Sequence, residues 1–257
     1  MSSQTIQKNK TGFIIQARTG SSRLPNKVLR NFYNGKNILN IIIEKLINHF
    51  NKYLIILATT NNPQDDKLKK FTEKYNIKIF RGSEENVLKR FIDAAQNYNL
   101  KEIIRVCADN PFLEIFYLKK LIDSYTKNYD YISYKIDQQP AICTHFGFFA
   151  EFVTLEALRK VTVNTNEKIY TEHVTKFIYT NPDLFNIKFL KGPEILKNRH
   201  DIRLTIDTIE DFKIAQIIFS ELHKEKKEFS VSDIIKFLDK NPDLLIQMKA
   251  NILSNRK

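Results

Sequence analysis

The stretch GFIIQARTGSSRLPNKVL, residues Gly12 to Leu29, decides the fold. Its first six residues, Gly12 to Ala17, form an apolar run that predicts a short buried strand. A polar loop rich in Ser, Gly and Arg follows, and Ile38 to Phe50 then carries apolar residues at helical spacing. Strand, loop and helix in this order begin an α/β unit.

The same alternation continues to about residue 130. Buried strands are predicted at Tyr53–Thr59, Lys78–Phe80 and Glu102–Ala108. Helices are predicted at Asp65–Tyr75 and from Ser83, as the N-cap with Asn86 at N3, to about Tyr98. Buried strands that alternate with amphipathic helices favour an α/β fold with a mostly parallel sheet and helices on both faces.

The pattern changes after Tyr129. Strands are predicted at Tyr131–Tyr134, Phe146–Val153 and Asn186–Leu190, with helices from Leu155 and over Glu172–Tyr179. Arg203–Ile206 (RLTI) predicts a return to a core strand, followed by a capped helix over Glu210–His223. We therefore expect an α/β core at 11–130, an inserted smaller α+β subdomain at 131–200 that covers an acceptor or forms a dimer surface, and a return to the core at 201–257.

Composition narrows the class of protein. The 257 residues are 42% apolar, with two cysteines, no apolar run near residue 1 of the kind that a secretory leader contains, and no apolar run near the roughly 20 residues of a membrane span. These features predict a cytoplasmic protein without a membrane partner. The chain has 41 Lys and Arg against 29 Asp and Glu, a net charge of +12. This charge fits a nucleotide, a nucleic acid or an acidic surface as partner. The alternative is that it reflects a general compositional bias of the chain. No basic and aromatic RNA-binding motif is present, so nucleic acid is not the expected partner.

The loop after the first strand has the composition of a phosphate site. Ligands of parallel sheets bind beyond the carboxyl ends of the strands. Backbone amides of a Gly and Ser turn can face phosphate oxygens, and nearby cations can neutralise a triphosphate. Neither G-x-x-x-x-G-K-[ST] nor G-x-G-x-x-G occurs, and a solvated basic loop is the alternative. The turn consists of Gly20, Ser21 and Ser22, and the cations are Arg18, Arg23 and Lys27.

Two carboxylates follow predicted strands at the same edge of the sheet. Asp109 directly follows EIIRVCA (Glu102–Ala108), and Asp207 directly follows RLTI (Arg203–Ile206). Two carboxylates from distant strands suit an octahedral Mg²⁺ that holds triphosphate oxygens. Each aspartate could instead be a helix N-cap, since acidic or Pro-containing turns follow both.

The sequence also resembles a known protein family. Arg18 to Leu29 is similar to the RxGSxRLPxK signature of the cytidylyltransferases that activate sugar acids, and most similar to the SpsF type associated with spore-coat polysaccharide. Further landmarks follow in order over nearly the whole chain. They are ATTNNPQD (Ala58–Asp65), RGSEENVLKRF (Arg81–Phe91), RVCADNPF (Arg105–Phe112), EHVTKFIY (Glu172–Tyr179) and RLTIDTIEDF (Arg203–Phe212).

The resemblance implies a Rossmann-like nucleotidyltransferase fold and a homodimer. It also implies that Arg18, Arg23 and Lys27 hold the CTP phosphates, and that Asp109 and Asp207 hold Mg²⁺. Family members often read TGDxPF where this chain has Cys107–Phe112 (CADNPF), so the aspartate is kept while the small residues before it differ. The implied cytosine contacts are Ala17, Thr59, Asn61, Arg81, Gly82, Ser83 and Asn86.

The expected reaction is transfer of CMP from CTP to a small acidic acceptor, a sugar acid or a phosphorylated polyol, with release of pyrophosphate, in the synthesis of surface-polysaccharide precursors. The alternatives are another nucleoside triphosphate, a CDP-linked product, a catalytically silent relative and, more distantly, a nucleic-acid-binding protein. Acceptor recognition is assigned to the insertion. Its candidates are His145, Phe146, Glu151, Glu172 and His173.

Overall fold

Ten strands are found in the computed structural model, which describes residues 10–255. In chain order they are β1 (Thr11–Gln16), β2 (Asn31–Tyr33), β3 (Lys36–Asn37), β4 (Ile55–Thr60), β5 (Lys78–Gly82), β6 (Glu102–Cys107), β7 (Tyr131–Ile136), β8 (Gln139–Pro140), β9 (Glu151–Thr154) and β10 (Ile187–Lys191).

The main sheet has the order β10-β7-β9-β6-β1-β4-β5, with β8 paired to β7, and β2 and β3 form a separate hairpin. β1 runs parallel to both β4 and β6, and β4 runs parallel to β5. β9 is antiparallel to β6 and β7, and β10 is parallel to β7. The prediction of a mostly parallel sheet is confirmed. The carboxyl ends of β1, β4, β5 and β6 therefore meet at one edge of the sheet.

The α-helices connect and cover these strands. They are α1 (Ile38–Ile47), α2 (Lys69–Tyr75), α3 (Val87–Asn97), α4 (Ile115–Asp123), α5 (Leu155–Asn164), α6 (Lys168–Glu172), α7 (Lys176–Thr180), α8 (Ile209–Glu225), α9 (Val231–Asp239) and α10 (Pro242–Ser254). Within residues 10–255, no helix has both the length and the apolar character needed to cross a bilayer.

The sheet has a hydrophobic cluster on each face. Phe13 and Ile15 point into one cluster, which includes residues of α1 and α8, and Ile14 points into the other, which includes residues of α3 and α5. Successive side chains of a strand point to opposite faces, so the apolar run of β1 serves both. The α/β class with helices on both faces is confirmed.

The strands of residues 131–200 extend the same sheet. β9 bonds to β6 with Ile103 opposite Val153 and Arg105 opposite Glu151, and it carries β7 on its other side. The segment therefore adds its strands to the core sheet through β9. The division into core, inserted subdomain and return stays a prediction.

The strand predicted at Arg203–Ile206 was wrong. The segment is buried but irregular, and its amides bond to two loops instead of a neighbouring strand. Leu204 N donates to His145 O at 2.8 Å, and Ile206 N donates to Asp109 O at 3.1 Å. An apolar run shows only that a segment is buried, and these loop carbonyls satisfy its amides in place of a strand.

Two other predictions in the insertion were only partly right. The strand predicted over Phe146–Val153 covers only β9, because Gly147 has a φ of +68° that interrupts the extended backbone. The helix predicted over Glu172–Tyr179 is divided into α6 and α7, and His173 ends α6 with φ −100° and ψ 77°.

Two helix starts also differ from the prediction. Asn86, not Ser83, caps α3, and its side chain accepts from the amide of Lys89 at 2.8 Å. Ser83 Oγ instead accepts from the amide of Asn86 at 3.0 Å and so shapes the turn before the helix. Asp65 lies in a 3₁₀ turn, Pro63–Leu68, that precedes α2. The capped helix α8 is confirmed.

Candidate active site

The loop after β1 is folded around Thr19. The carbonyl oxygen of Thr19 accepts from the amides of Ser21 at 3.0 Å and Asn26 at 2.9 Å. Asn26 has a left-handed backbone with a φ of 57°, which reverses the chain before Lys27. Leu24 and Val28 are buried and fix the loop to the core. The exposed residues of the loop include Arg18, Gly20, Ser22 and Arg23.

The two predicted metal ligands meet at a single ammonium group. Lys27 Nζ lies 3.4 Å from Asp109 Oδ2 and 3.5 Å from Asp207 Oδ1, and it donates to Ile206 O at 2.6 Å. Arg23 Nη2 forms a second ion pair with Asp207 Oδ1 at 3.1 Å. The structure thus brings the basic loop and both carboxylates together in one crevice.

Neither carboxylate caps a helix. α4 is capped by Glu114, whose side chain accepts from the amide of Tyr117 at 3.0 Å. α8 is capped by Thr208 through a capping box. The alternative reading of Asp109 and Asp207 as N-caps is therefore wrong. Both face the crevice, where the Asp109 side chain is 31% exposed and that of Asp207 is 9% exposed.

A buried arginine holds Asp207 in place. Arg203 Nη2 donates to Asp207 Oδ2 at 3.0 Å, and its Nε and Nη2 donate to the two oxygens of Asp211 at 2.8 and 3.0 Å. The amide of Asp207 also donates to Asp211 Oδ2 at 3.0 Å. The guanidinium therefore orients the carboxylate from below the crevice. Sequence reasoning missed this role of Arg203, and the available signal in RLTIDTIEDF was an Arg four residues before Asp207 and an Asp four residues after it.

Arg203 also reaches the insertion. Its Nη1 lies 2.8 Å from His145 Nδ1, and because arginine only donates, His145 Nδ1 accepts. The predicted acceptor residue His145 is thereby joined to the predicted metal ligand Asp207 through one guanidinium.

The predicted cytosine contacts lie at the ends of three neighbouring strands. The amide of Ala17 donates to Ala58 O at 3.2 Å, which joins the ends of β1 and β4. The amide of Asn61 donates to Gly82 O at 3.0 Å, which joins β4 to β5. These ends form one wall beside the basic loop, and Thr59 lies fully buried within it.

The side chains of Arg81 and Asn86 on this wall already have partners in the fold. Arg81 donates to the carbonyl oxygens of Thr60 and Asn62, each at 2.9 Å, and forms an ion pair with Asp66. Asn86 is engaged as the cap of α3. In this structure the two side chains shape the loops, so their contact with a base stays a prediction.

Asp65 is a site residue that the sequence analysis missed. Its carboxylate is 2% exposed and accepts from Thr19 of the basic loop and from Thr60 at the end of β4. Burial by itself would raise the pKa of Asp65, but the hydrogen bonds from Thr19 and Thr60 outweigh it and lower the pKa. The available signal was its place in the landmark ATTNNPQD.

Two of the predicted acceptor residues are enclosed in the protein. Phe146 is 4% exposed and belongs to the core. Glu151 is 3% exposed, forms an ion pair with Arg105 and accepts from Tyr131 at 2.5 Å and Thr175 at 2.8 Å. Neither presents a surface to an acceptor, so in this structure both serve the fold. Glu172 and His173 are exposed where α6 ends.

The network around Glu151 links the insertion to β1. Arg105 Nη2 donates to Gln16 Oε1 at 3.1 Å while its Nη1 contacts Glu151. Burial, with the Glu151 carboxylate beside it, raises the pKa of Tyr131 well above its ordinary value, so its hydroxyl remains a donor. Because Arg105 and Gln16 lie inside strands, the sequence pattern indicated only burial.

The donor chemistry of the crevice fits Mg²⁺. Asp109 and Asp207 offer carboxylate oxygens, and Mg²⁺ in nucleotide sites is bound through one or two carboxylates plus substrate phosphates and water. Cations already contact both carboxylates, through Lys27 and Arg23. In the part of the chain that the structure describes, no group of three or more His, Cys, Asp or Glu side chains could hold a metal. The protein would therefore supply two ligands to the ion.

Residues 12–249 match the model of a protein family described as "Cytidylyltransferase". The chain belongs to the cytidylyltransferase family. It is accordingly a nucleotidyltransferase with the Rossmann-like fold of that family, as the resemblance had implied.

Three similar proteins accompany this match. An uncharacterized protein of Methanocaldococcus jannaschii is 40% identical over 232 residues, which cover 90% of this chain and 91% of the relative. The spore coat polysaccharide biosynthesis protein SpsF of Bacillus subtilis is 32% identical over 244 residues, 93% of this chain and 98% of the relative. A cytidylyltransferase structure from Leptospira borgpetersenii has a TM-score of 0.80 at 30% identity, covering 92% of this chain and 96% of its own.

Proposed function

We propose that this cytidylyltransferase transfers CMP from CTP to a small acidic acceptor and releases pyrophosphate, with Mg²⁺ as cofactor. The acceptor class is a sugar acid or a phosphorylated polyol, and the product is a precursor of a surface polysaccharide. The observation that carries the proposal is the convergence of Asp109 and Asp207 on Lys27 beside the basic loop. The name of the Bacillus subtilis relative supports the polysaccharide context.

Charge and position supply most of the chemistry of such a reaction. The acceptor is either an ionised phosphate oxygen or a hydroxyl that gives its proton to solvent. Its oxygen forms a bond to the α-phosphorus, the bond from that phosphorus to the bridging oxygen breaks, and pyrophosphate takes the electron pair. Mg²⁺ bound at Asp109 and Asp207 would neutralise phosphate charge and orient the reacting oxygens. Arg18, Arg23 and Lys27 add cations on the side of the leaving pyrophosphate. Backbone amides at Gly20, Ser21 and Ser22 are proposed to contact the same phosphates.

Lys27 has a further part in this proposal. In this structure its ammonium, 13% exposed at the side chain, pairs with both carboxylates, and Arg23 supplies the second positive charge. A triphosphate that arrives with its own cation offers new acceptors to the ammonium and a new cation to the carboxylates. Each of these charged groups thus has a partner of opposite sign both before and after binding.

The base and the acceptor are proposed to lie on opposite sides of the basic loop. The cytosine would lie at the wall formed by the ends of β1, β4 and β5. The acceptor would lie toward the insertion, where His145 contacts Arg203 and where Glu172 and His173 are exposed.

The test is pyrophosphate release from purified protein. CTP, UTP, ATP and GTP are compared with Mg²⁺ or with EDTA, against a panel of sugar acids and phosphorylated polyols. We expect release only with CTP, Mg²⁺ and a member of the panel. Mass spectrometry of the product then distinguishes a CMP-linked acid from a CDP-linked polyol.

Two results would contradict the proposal. If pyrophosphate release never exceeds background with any acceptor of the panel, the proposed transfer reaction is wrong. If the protein prefers UTP or ATP to CTP, it is still a nucleotidyltransferase, but the assignment of cytosine as the bound base is wrong.

We also propose that the chain forms a homodimer through the insertion. Val163 is 84% exposed and Ile169 44% exposed, on neighbouring helices of that segment. Large exposed apolar side chains are common at interfaces between copies of a chain. Light scattering after size exclusion is expected to give twice the mass of the chain, and a change of Val163 and Ile169 to Lys is expected to give the monomer.

A further inference from the structure

Asp65 ties the basic loop to the end of a core strand. Asp65 Oδ1 accepts from both the amide and the hydroxyl of Thr19, at 2.7 and 2.6 Å. Its other oxygen, Oδ2, accepts from the amide of Thr60 at 3.4 Å and from the Thr60 hydroxyl. Four donors from two loops thus converge on one carboxylate.

The residue that Asp65 holds is also the residue on which the basic loop closes. Thr19 donates its amide and hydroxyl to Asp65, while its carbonyl oxygen accepts from Ser21 and Asn26. Every hydrogen bond described for Thr19 therefore serves one purpose, which is to fix the turn that precedes Lys27. A shift of Thr19 would move the whole turn relative to the sheet.

Asp65 is enclosed in the protein. Its side chain is 2% exposed, and it lies beneath the loop, while Arg23 and Gly20 are exposed above. Because a carboxylate accepts at both oxygens, the ionised form can satisfy all four donors, and an amide at this position cannot. The bonds that lower the pKa of Asp65 keep it ionised at neutral pH.

We propose that Asp65 is a positioning residue that fixes the basic loop in the conformation that binds the triphosphate. The inference rests on the proposed use of CTP and adds a residue outside the predicted phosphate and metal contacts. Its consequence is that the loop is preorganised, so that binding of the nucleotide does not have to order it.

The experiment measures steady-state constants for Asp65→Asn, Thr19→Val and Thr19→Ser, with Asp93→Asn as the matched control. Asp93 is the acid of an exposed i,i+4 pair with Lys89 on α3. We expect Asp65→Asn to raise KM for CTP about 10- to 100-fold and to leave KM for the acceptor within about twofold. Thr19→Val, which keeps the amide and loses the hydroxyl, is expected to raise KM for CTP about 3- to 10-fold.

A rescue variant and a double variant distinguish a role of Asp65 in positioning the loop from a role in stability alone. Thr19→Ser restores the hydroxyl and is expected to have a KM for CTP within about twofold of the wild type. In the double variant Thr19→Val with Asp65→Asn, the two effects are expected to combine to less than their product, because both remove the same contact. A residue with only a structural role would lower Tm and the fraction of active protein, and KM for CTP would not change.

The outcomes are distinguishable from failure of the proposed function. A wild type without CTP turnover or CTP binding removes the proposed function. An active wild type whose Asp65→Asn variant keeps the KM for CTP overturns the positioning role alone. If Asp65→Asn fails to fold, the comparison of Thr19→Val with Thr19→Ser decides, and equal constants for those two overturn it.

Discussion

The basic loop has carboxylates on two sides, and the two sides differ in how they are bound. Asp65 is 2% exposed and accepts four hydrogen bonds from loop and strand. Asp109 and Asp207 pair with side-chain cations across the crevice, at 3.1 to 3.5 Å, and Arg203 orients Asp207 from below. The first arrangement fixes a loop. The second leaves negative charge that a different cation can take over, which is the property expected of a ligand-binding side.

The largest effect is expected on the crevice side. Asp109→Asn and Asp207→Asn should each lower turnover about 10²- to 10³-fold, because a proposed ligand of Mg²⁺ is lost. Pyrophosphate release with saturating CTP measures this, and circular dichroism checks the fold. Asp239→Asn is the control, since Asp239 lies in an exposed pair with Arg199. Normal turnover in both site variants would show that the crevice carboxylates have no catalytic part.

The next largest effect is expected for Arg203, which orients Asp207 on the crevice side. Arg203→Met should lower the free energy of unfolding by about 3–5 kcal/mol, because the buried carboxylate of Asp211 would lose the cation that balances its charge. Arg199→Met, at a partly exposed pair with Asp201 and Asp239, should cost under about 1 kcal/mol. Urea unfolding measures both. Equal costs for the two variants would mean that the buried network does not support Asp207.

The fixed side should be visible in the pH dependence of stability. The folded pKa of Asp65 is lowered, so the carboxylate contributes stability at neutral pH that is lost as pH falls below about 4 and through the folded pKa. Asp65→Asn should lower the free energy of unfolding by about 1–3 kcal/mol at pH 7 and by less at pH 3. Urea unfolding at the two pH values measures the difference. A cost that is the same at both would contradict the role of the ionised form.

The smallest effect tests the helix caps. Thr208→Ala should cost about 1 kcal/mol of stability, because Thr208 caps α8. Asp109→Ala should change stability by no more than about 0.5 kcal/mol, because Glu114 caps α4. If the two costs were reversed, Asp109 would be a structural residue.

The strands were predictable wherever burial and local periodicity agreed. β1, β4 and β6 are apolar runs, and their polar ends identified the loops of the crevice. The errors occurred where burial came without a strand partner, as in Arg203–Ile206, or where one residue interrupted a pattern, as Gly147 does. Burial can be read from composition, but the partner of a backbone amide cannot.

The site was predictable in the same way. Arg23, Lys27 and Asp109 follow strands, Asp207 follows a buried apolar run, and all four have the right charge, so local sequence indicated them. Asp65, Arg203 and Arg105 act through partners 4 to 89 residues away, and local sequence does not show which distant partners they meet. Their roles depend on which loops the sheet brings together.

The sequence by itself determined the α/β class, the family and the residues of charge at the strand ends, because hydrophobic periodicity and motif order are local properties of the chain. Only the tertiary structure decided that Lys27 meets both carboxylates, that Glu151 is enclosed in a buried network, and that Asp65 holds the loop. These contacts join residues 46 to 180 positions apart in the sequence, so they exist only once the sheet has brought their loops and strands together.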